Sequence, residues 1–190
     1  MGLCGIPETE LIFDDCEVPA ENLLRADPKD RFKKLMNGYN AQRIGASSVA
    51  LGIAQGAHEL AVDYMAIRKS SGKTLADFQG LRWLMADSEV KLDAARLLIY
   101  RAACNARALP NNVMLPDMKE ASLAKVFTAH HAFEVVSESL QMFGAAGYSR
   151  DLPLERMLRD ARMFQIGGGT SQAQLNMIAR GIFPERRTAA

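Results

Sequence analysis

Residues 53–64 read IAQGAHELAVDY, and apolar or small side chains recur in this stretch every three or four positions. That spacing places the recurring side chains on one face of a helix. They are Ile53, Ala57, Leu60, Ala61 and Tyr64. The same pattern extends over about residues 29–67, which predicts one long, buried helix. Its glycines weaken helix propensity but allow a second helix to approach closely.

Helical periodicity predicts four further helices, separated by polar or glycine-rich stretches. They span about residues 75–108, 116–140, 154–164 and 170–182. Typical helix-ending residues follow the first two, and these are Pro110, Asn111, Asn112, Gly144 and Gly147. Three long helices and two short ones predict an all-α bundle.

The first 27 residues differ from the rest of the chain. Residues 8–18 alternate around Leu11, Phe13 and Cys16 before Pro19, which predicts one strand and its exit loop. A single strand is not stable without a sheet, and the sequence predicts no other strand for it to join. We therefore expect residues 1–27 to be the end of a β-domain with a linker, and residues 28–190 to form the helical domain.

Composition and charge exclude several classes of protein. The chain has 190 residues, of which 48% are hydrophobic and 24% charged, so it can bury a sizeable core. Lysine plus arginine number 23 and aspartate plus glutamate 22, which argues against nucleic acid or an anionic membrane as a partner. No apolar stretch approaches the length of a membrane span. Three scattered cysteines predict neither disulfides nor a metal site, and we expect a cytoplasmic protein.

The stretch Gly167-Gly168-Gly169-Thr170-Ser171-Gln172 directly precedes the last predicted helix. Glycines let the backbone approach a ligand closely, and the free amides of a helix N-terminus favour an anion such as phosphate. A flexible loop with an ordinary N-cap has the same sequence pattern. The residues alone favour neither interpretation.

Two other clusters are individually typical of helix ends and turns. One is the small-residue stretch 141–148, and the other combines Arg68 and Gly72 with Phe78 and Gln79. Taken in order along the chain, these clusters and the glycine loop resemble the C-terminal half of the flavin-dependent acyl-CoA dehydrogenases. The resemblance covers essentially the whole chain. It rests on residues 9–24, 68–79, 141–147, 150–162 and 167–172, with Ser71 where an aromatic residue is common and Ala145 where a glycine is usual.

The resemblance implies a helical domain that packs against an N-terminal helical domain and a middle β-domain, neither of which this chain contains. It implies FAD between domains and subunits, an acyl-CoA substrate, and a homo-oligomer, usually a tetramer and otherwise a dimer. We expect the chain alone to be incomplete and inactive.

The resemblance also assigns residues to ligands. The FAD of a neighbouring subunit would be contacted by Arg68, Gln79, Gln141, Gly144 and Ala145, and the FAD of the same subunit by Thr170 and Gln172. Acyl-CoA would be contacted by Arg43, which matches an arginine of the acyl-CoA pocket, and by Asn40, Gln42, Gly168 and Gly169.

The family reaction removes a proton from the α carbon of an acyl thioester while hydride leaves the β carbon for flavin N5. That reaction needs a carboxylate base. Most members place a glutamate where this chain has Gly168, and a minority place it where this chain has Gln42. A glutamine amide is no base at neutral pH, so no catalytic residue is predicted.

Three functions therefore stay open. The first is a dehydrogenase whose base lies elsewhere, the second is a family member with different chemistry such as desulfination of a sulfinated acyl-CoA, and the third is a non-catalytic subunit of an FAD pocket. Family size favours the first, and the two vacant base positions favour the others. The nearest carboxylates in sequence, Glu155 and Asp160, are expected to be structural. The histidines are expected to be packing or surface groups, and these are His58, His130 and His131.

Overall fold

Five helices form the bundle in the computed structural model, which describes residues 1–23, 31–108 and 114–183. The helices are α1 (Arg31–Ile67), α2 (Gln79–Cys104), α3 (Met118–Phe143), α4 (Leu154–Met163) and α5 (Ser171–Ile182). This confirms the predicted all-α bundle of three long and two short helices. No helix within these ranges is both long enough and apolar enough to cross a bilayer.

Local capping fixes the ends of α3 and α5. The Asp117 carboxylate accepts hydrogen bonds from the backbone amides of Lys119 and Glu120, at 2.9 and 3.2 Å. Gly144 follows the last residue of α3 with a φ of 57°, a conformation that residues with a Cβ rarely adopt. The Thr170 hydroxyl accepts a hydrogen bond from the amide of Ala173 at the start of α5.

Two short hairpins connect the long helices. The strands β1 (Lys69–Ser70) and β2 (Lys73–Thr74) pair between α1 and α2, and β3 (Arg107–Ala108) pairs with β4 (Met114–Leu115) between α2 and α3. The predicted extension of the second helix to residue 108 is wrong, because residues 107 and 108 pair with a strand and do not continue α2. The predicted end signals at residues 110–112 lie outside the described ranges.

The strand predicted over residues 8–18 is also wrong. Within the described part of the N-terminal segment the only regular element is a single turn of 3₁₀ helix, Ala20–Asn22. A strand needs a hydrogen-bonded neighbour, and no other described strand pairs with this segment. Its apolar side chains stay exposed, since Leu11, Ile12 and Phe13 keep 75%, 82% and 76% of their surface accessible.

A stripe of alanines on α1 forms the centre of the core. Ala50, Ala54, Ala57 and Ala61 are completely buried, and α1 shares its most extensive contact with α3. The same core includes Val135 and Val136 of α3 and Leu154 and Ala161 of α4. Small side chains on one helix let the two backbones approach closely, so this face has no space for larger groups.

Replacing Ala57 by leucine should therefore destabilise the protein. Overpacking a filled core costs about 1–3 kcal/mol, and Ala57 is fully buried. The control is Ala66→Leu, because Ala66 lies on the same helix with an exposed side chain. Urea unfolding measures the free energy of both variants. Equal stability of the two would contradict the close packing of α1 against α3.

Candidate functional site

The loop of Gly167, Gly168 and Gly169 lies between α4 and α5. The φ angles of Gly168 and Gly169 are 66° and 95°, both in the region that favours glycine. The Gly167 amide donates to the carbonyl of Met163, and the amide of Ser171 donates to the carbonyl of Gln165. These bonds close the loop tightly before the first turn of α5.

The buried side chain of Lys125, on α3, holds this loop through two hydrogen bonds. This side chain is almost completely buried, and its Nζ donates to the carbonyl oxygens of Gly167 at 2.6 Å and Gly169 at 2.5 Å. Burial, together with the nearby positive charge of Arg43, lowers the pKa of Lys125 to about 8. Sequence reasoning missed this residue. The sequence feature that could have identified it is a lysine on the apolar face of α3, between Ala124 and Thr128, because a charge on such a face needs a specific partner.

Gln174 of α5 fills the space beside Gly169. Its side chain is buried, and its Oε1 accepts a hydrogen bond from the Ser122 hydroxyl at 2.9 Å. A Cβ on Gly169 would collide with the Gln174 Nε2, so position 169 needs glycine for space as well as for its φ angle. Helices α3 and α5 therefore hold the glycine loop from two sides.

Arg43 and Asn40 of α1 lie near the start of α3. Arg43 donates from Nη1 to the Asn40 Oδ1 at 2.7 Å, and the Asn40 amide donates to the carbonyl of Pro116 at 3.2 Å. Both side chains are buried, and burial lowers the pKa of Arg43. Gln42, in contrast, is exposed. The predicted pocket residues of α1 therefore divide into a buried, hydrogen-bonded pair and a surface glutamine.

A second group of predicted site residues lies at the other end of α3. The ring of Tyr64 on α1 stacks on that of Phe143 on α3, with centroids 4.1 Å apart, which joins the C-terminal ends of these helices. Around this junction lie Arg68, Gln79, Gln141, Gly144 and Ala145, all exposed. Among the described residues, the side chains of Arg68, Gln79 and Gln141 have no hydrogen-bonding partner, so their donors are available to a ligand.

The predicted cofactor residues do not converge within one chain. Phe143 follows Lys125 by 18 residues on α3, which corresponds to about 27 Å of helix rise. Thr170 and Gln172, both exposed, lie beside the glycine loop at the start of α5, and the group around Phe143 lies at the far end of α3. The donors at both ends suit phosphate and amide groups of a dinucleotide. The predicted cofactor residues of one chain thus lie on two separate surfaces.

Glu155 and Asp160 form structural contacts on α4. Glu155 accepts two hydrogen bonds from the Arg159 guanidinium, at 2.8 and 3.0 Å. Asp160 accepts one from the Leu3 amide at 2.5 Å and lies 3.9 Å from the Arg156 guanidinium. These bonds fix α4 and the N-terminal segment, as a structural role predicts.

The three histidines lie on helices away from the glycine loop. His58 contacts Glu89 at 3.2 Å, and His131 contacts Glu134 at 2.9 Å. His130, His131 and Glu134 are close enough for a shared metal ion, the one such group in the described ranges. Glu134, however, accepts a hydrogen bond from the Lys91 ammonium at 2.8 Å, which lowers the pKa of this carboxyl and opposes a second cation.

Substituting Gly169 by alanine should destabilise the loop. The new methyl group would meet Gln174 at a strained φ angle, and such strain costs of order 1–3 kcal/mol. The control is Gly52→Ala, because Gly52 lies within α1 with open space around it, and there alanine should stabilise by about 0.5–1 kcal/mol. Urea unfolding measures whether the free energy of unfolding falls in Gly169→Ala and rises in Gly52→Ala. A neutral or stabilising Gly169→Ala change would contradict the described loop.

Known proteins match the same regions of the chain. The family model described as acyl-CoA dehydrogenase, C-terminal domain, matches residues 32–183. The 3-sulfinopropanoyl-CoA desulfinase of Cupriavidus necator is 48% identical over 185 residues, which cover 96% of this chain and 45% of that protein. The short-chain-specific acyl-CoA dehydrogenase of Clostridium acetobutylicum is 41% identical over 183 residues, covering 96% of this chain and 47% of that protein.

Solved structures indicate the same family as the sequence relatives. The butyryl-CoA dehydrogenase from Megasphaera elsdenii superposes with a TM-score of 0.82 at 37% identity, covering 90% of this chain and 43% of that one. The chain thus spans about half the length of the curated relatives it matches. Family match, identity and fold agree, and this chain belongs to the acyl-CoA dehydrogenase family, of which it carries the C-terminal helical domain.

Proposed function

We propose that this chain is the C-terminal part of a flavin-dependent enzyme that oxidises an acyl-CoA thioester between its α and β carbons. FAD, when bound, supplies the acceptor for the hydride that leaves the β carbon. The observation that carries the proposal is the loop Gly167–Gly169, which Lys125 and Gln174 hold directly before α5 in a chain of this family.

The proposed FAD contacts divide between the two surfaces. Thr170 and Gln172 would bind the FAD of their own subunit, together with the free amides at the start of α5. The guanidinium and amide donors at the other end of α3 would bind the FAD of a neighbouring subunit. They belong to Arg68, Gln79 and Gln141, with backbone contacts from Gly144 and Ala145. The separation of about 27 Å along α3 supports this division, and with it a homotetramer or homodimer.

The proposed acyl-CoA pocket lies where α1 approaches the glycine loop. Arg43 would face the acyl thioester, and its hydrogen bond with Asn40 fixes the guanidinium in one orientation. Gly168 and Gly169 would let the substrate approach the backbone closely, because neither has a side chain. Lys125 would act on the substrate through the loop, since its hydrogen bonds set the positions of the carbonyls on both sides of Gly168.

The remaining half of the relatives' length would complete the site. We propose that an N-terminal helical domain and a β-domain, from the same gene or a separate chain, enclose the flavin and the acyl group. The exposed apolar side chains of residues 11–13 support an interface with further protein. We expect the 190-residue chain by itself to bind FAD weakly and to be inactive.

Desulfination is the second candidate function. Gly168 has no side chain and the Gln42 amide has no basicity, so neither proposed base position can remove an α proton. The relative from Cupriavidus necator, at 48% identity, is named for cleaving a sulfinate from an acyl-CoA. Sulfite release from a sulfinated thioester by the FAD-loaded protein would establish this candidate, and reduction of an artificial acceptor by butyryl-CoA would establish dehydrogenation.

Restoring a carboxylate at position 168 should create or raise dehydrogenase activity. A positioned general base contributes about 10²- to 10⁴-fold, so with FAD and the proposed N-terminal domains present, the Gly168→Glu variant should reduce an artificial acceptor with butyryl-CoA faster than the unsubstituted protein. Gln42→Glu tests the other position. The matched control is Gly168→Gln, which has the same size and backbone strain but no base. Equal rates for the Glu and Gln variants, with FAD retained, would contradict the proposed pocket.

Removing the Arg68 guanidinium should weaken FAD binding. Hydrogen bonds to a charged group contribute about 1.5–3 kcal/mol, so Arg68→Ala should raise the dissociation constant roughly 10- to 100-fold. Recovery of flavin fluorescence on dilution measures the release of FAD. The control is Arg101→Ala, because Arg101 is an exposed arginine at the opposite end of α2. An unchanged affinity in Arg68→Ala, or an equal loss in both variants, would refute the assignment.

A further inference from the structure

Two buried cations, Lys125 beside Gly168 and Arg43 on α1, have no carboxylate partner among the described residues. Arg43 and Lys125 expose only 5% and 2% of their surface. Within residues 1–23, 31–108 and 114–183, no aspartate or glutamate forms an ion pair with either. Buried charges are normally paired, because an isolated charge in a low-dielectric interior is costly. The bundle therefore holds two like charges and no described negative group that balances them.

The hydrogen bonds of these cations leave their charge uncompensated. Lys125 donates to two neutral carbonyls, at Gly167 and Gly169, and an ammonium has a third donor. Arg43 donates from Nη1 to the neutral amide oxygen of Asn40. Its Nε is buried and has no hydrogen-bond partner among the described residues. Both cations thus retain positive charge and donor capacity toward a ligand.

Gly168 leaves space beside the Lys125 ammonium. A Cβ built on Gly168 would lie 3.7 Å from the Lys125 Cε and 3.9 Å from its Nζ, both ordinary contact distances. A side chain at position 168 would therefore begin next to the ammonium, and an acidic one could neutralise it. Glycine leaves that volume to a ligand, and a negatively charged group would be attracted there by both cations.

We infer that Arg43 and Lys125 form a binding site for a small oxyanion over Gly168, and that this anion is the negatively charged end of a short acyl group, a carboxylate or a sulfinate. The inference rests on the proposed binding of an acyl-CoA thioester. Nearly complete burial of both cations favours a small, singly charged group over a diphosphate, which is larger and more strongly hydrated. The diphosphates of FAD and CoA instead suit the exposed donors at the helix ends.

Methanesulfinate is the probe for this site, titrated by calorimetry at constant ionic strength into the FAD-loaded protein that includes the proposed N-terminal domains. We expect saturable binding that weakens at least tenfold between pH 6.5 and pH 9.5, because the Lys125 ammonium, with a pKa of about 8, loses its proton in that interval. Acetate should compete with methanesulfinate. Absence of saturable binding, or displacement by inorganic phosphate at a lower concentration than by acetate, would overturn the inference.

Substitutions locate the bound anion. Lys125→Met and Arg43→Gln should each weaken methanesulfinate binding at least tenfold, and Gly168→Glu should abolish it because the new carboxylate occupies the site. Lys119→Met is the matched control, since Lys119 is an exposed lysine on the same helix. If Lys125→Met fails to fold, Arg43→Gln and Gly168→Glu test the anion site. Undiminished binding in these two variants would refute the site.

The outcomes distinguish this inference from the proposed function. A protein that retains FAD and oxidises butyryl-CoA but binds no methanesulfinate would refute the anion site and leave the proposed function intact. If the FAD-loaded protein with the proposed N-terminal domains binds methanesulfinate through Arg43 and Lys125 but turns over no acyl-CoA, the site is supported and the proposed function is refuted.

Discussion

Two hydrogen bonds from the Lys125 ammonium to the carbonyls of Gly167 and Gly169 hold the part of the chain on which the candidate site depends. These bonds stabilise a turn in which Gly168 and Gly169 have left-handed φ angles. This turn determines where the first amides of α5 lie. Gln174 closes the loop from the other side. Because the ammonium belongs to α3, the geometry of the loop is tied to the core helix that packs most extensively on α1.

The same ammonium gives the site its electrostatic character. The whole chain has a formal net charge of +1, so bulk charge attracts no anion strongly. Locally, however, Lys125 and Arg43 lie close enough that the charge of one lowers the pKa of the other. Their described partners are neutral carbonyl and amide oxygens, and position 168 lacks a side chain. A site of this kind selects ligands by the placement of a few buried donors.

Sequence reasoning predicted the helices well because their signals are local. Asp117 and Thr170 cap their helices through neighbouring amides, and Gly144 ends α3 through its own φ angle. The errors concern pairing over distance. Residues 107–108 end α2 early because they pair with residues 114–115, and residues 8–18 form no strand because no described strand pairs with them.

Sequence reasoning predicted only those parts of the candidate site that have a sequence motif. The glycine loop has a sequence signature, but the role of Lys125 depends on packing α3 against a loop some 40 residues later, which periodicity does not reveal. A crystal structure of the Lys125→Met variant, compared with that of the unsubstituted protein, tests the role of Lys125 most directly. If the ammonium holds the loop, residues 167–169 change conformation in the variant while α1 and α3 keep theirs. An unchanged loop without the ammonium would refute this role.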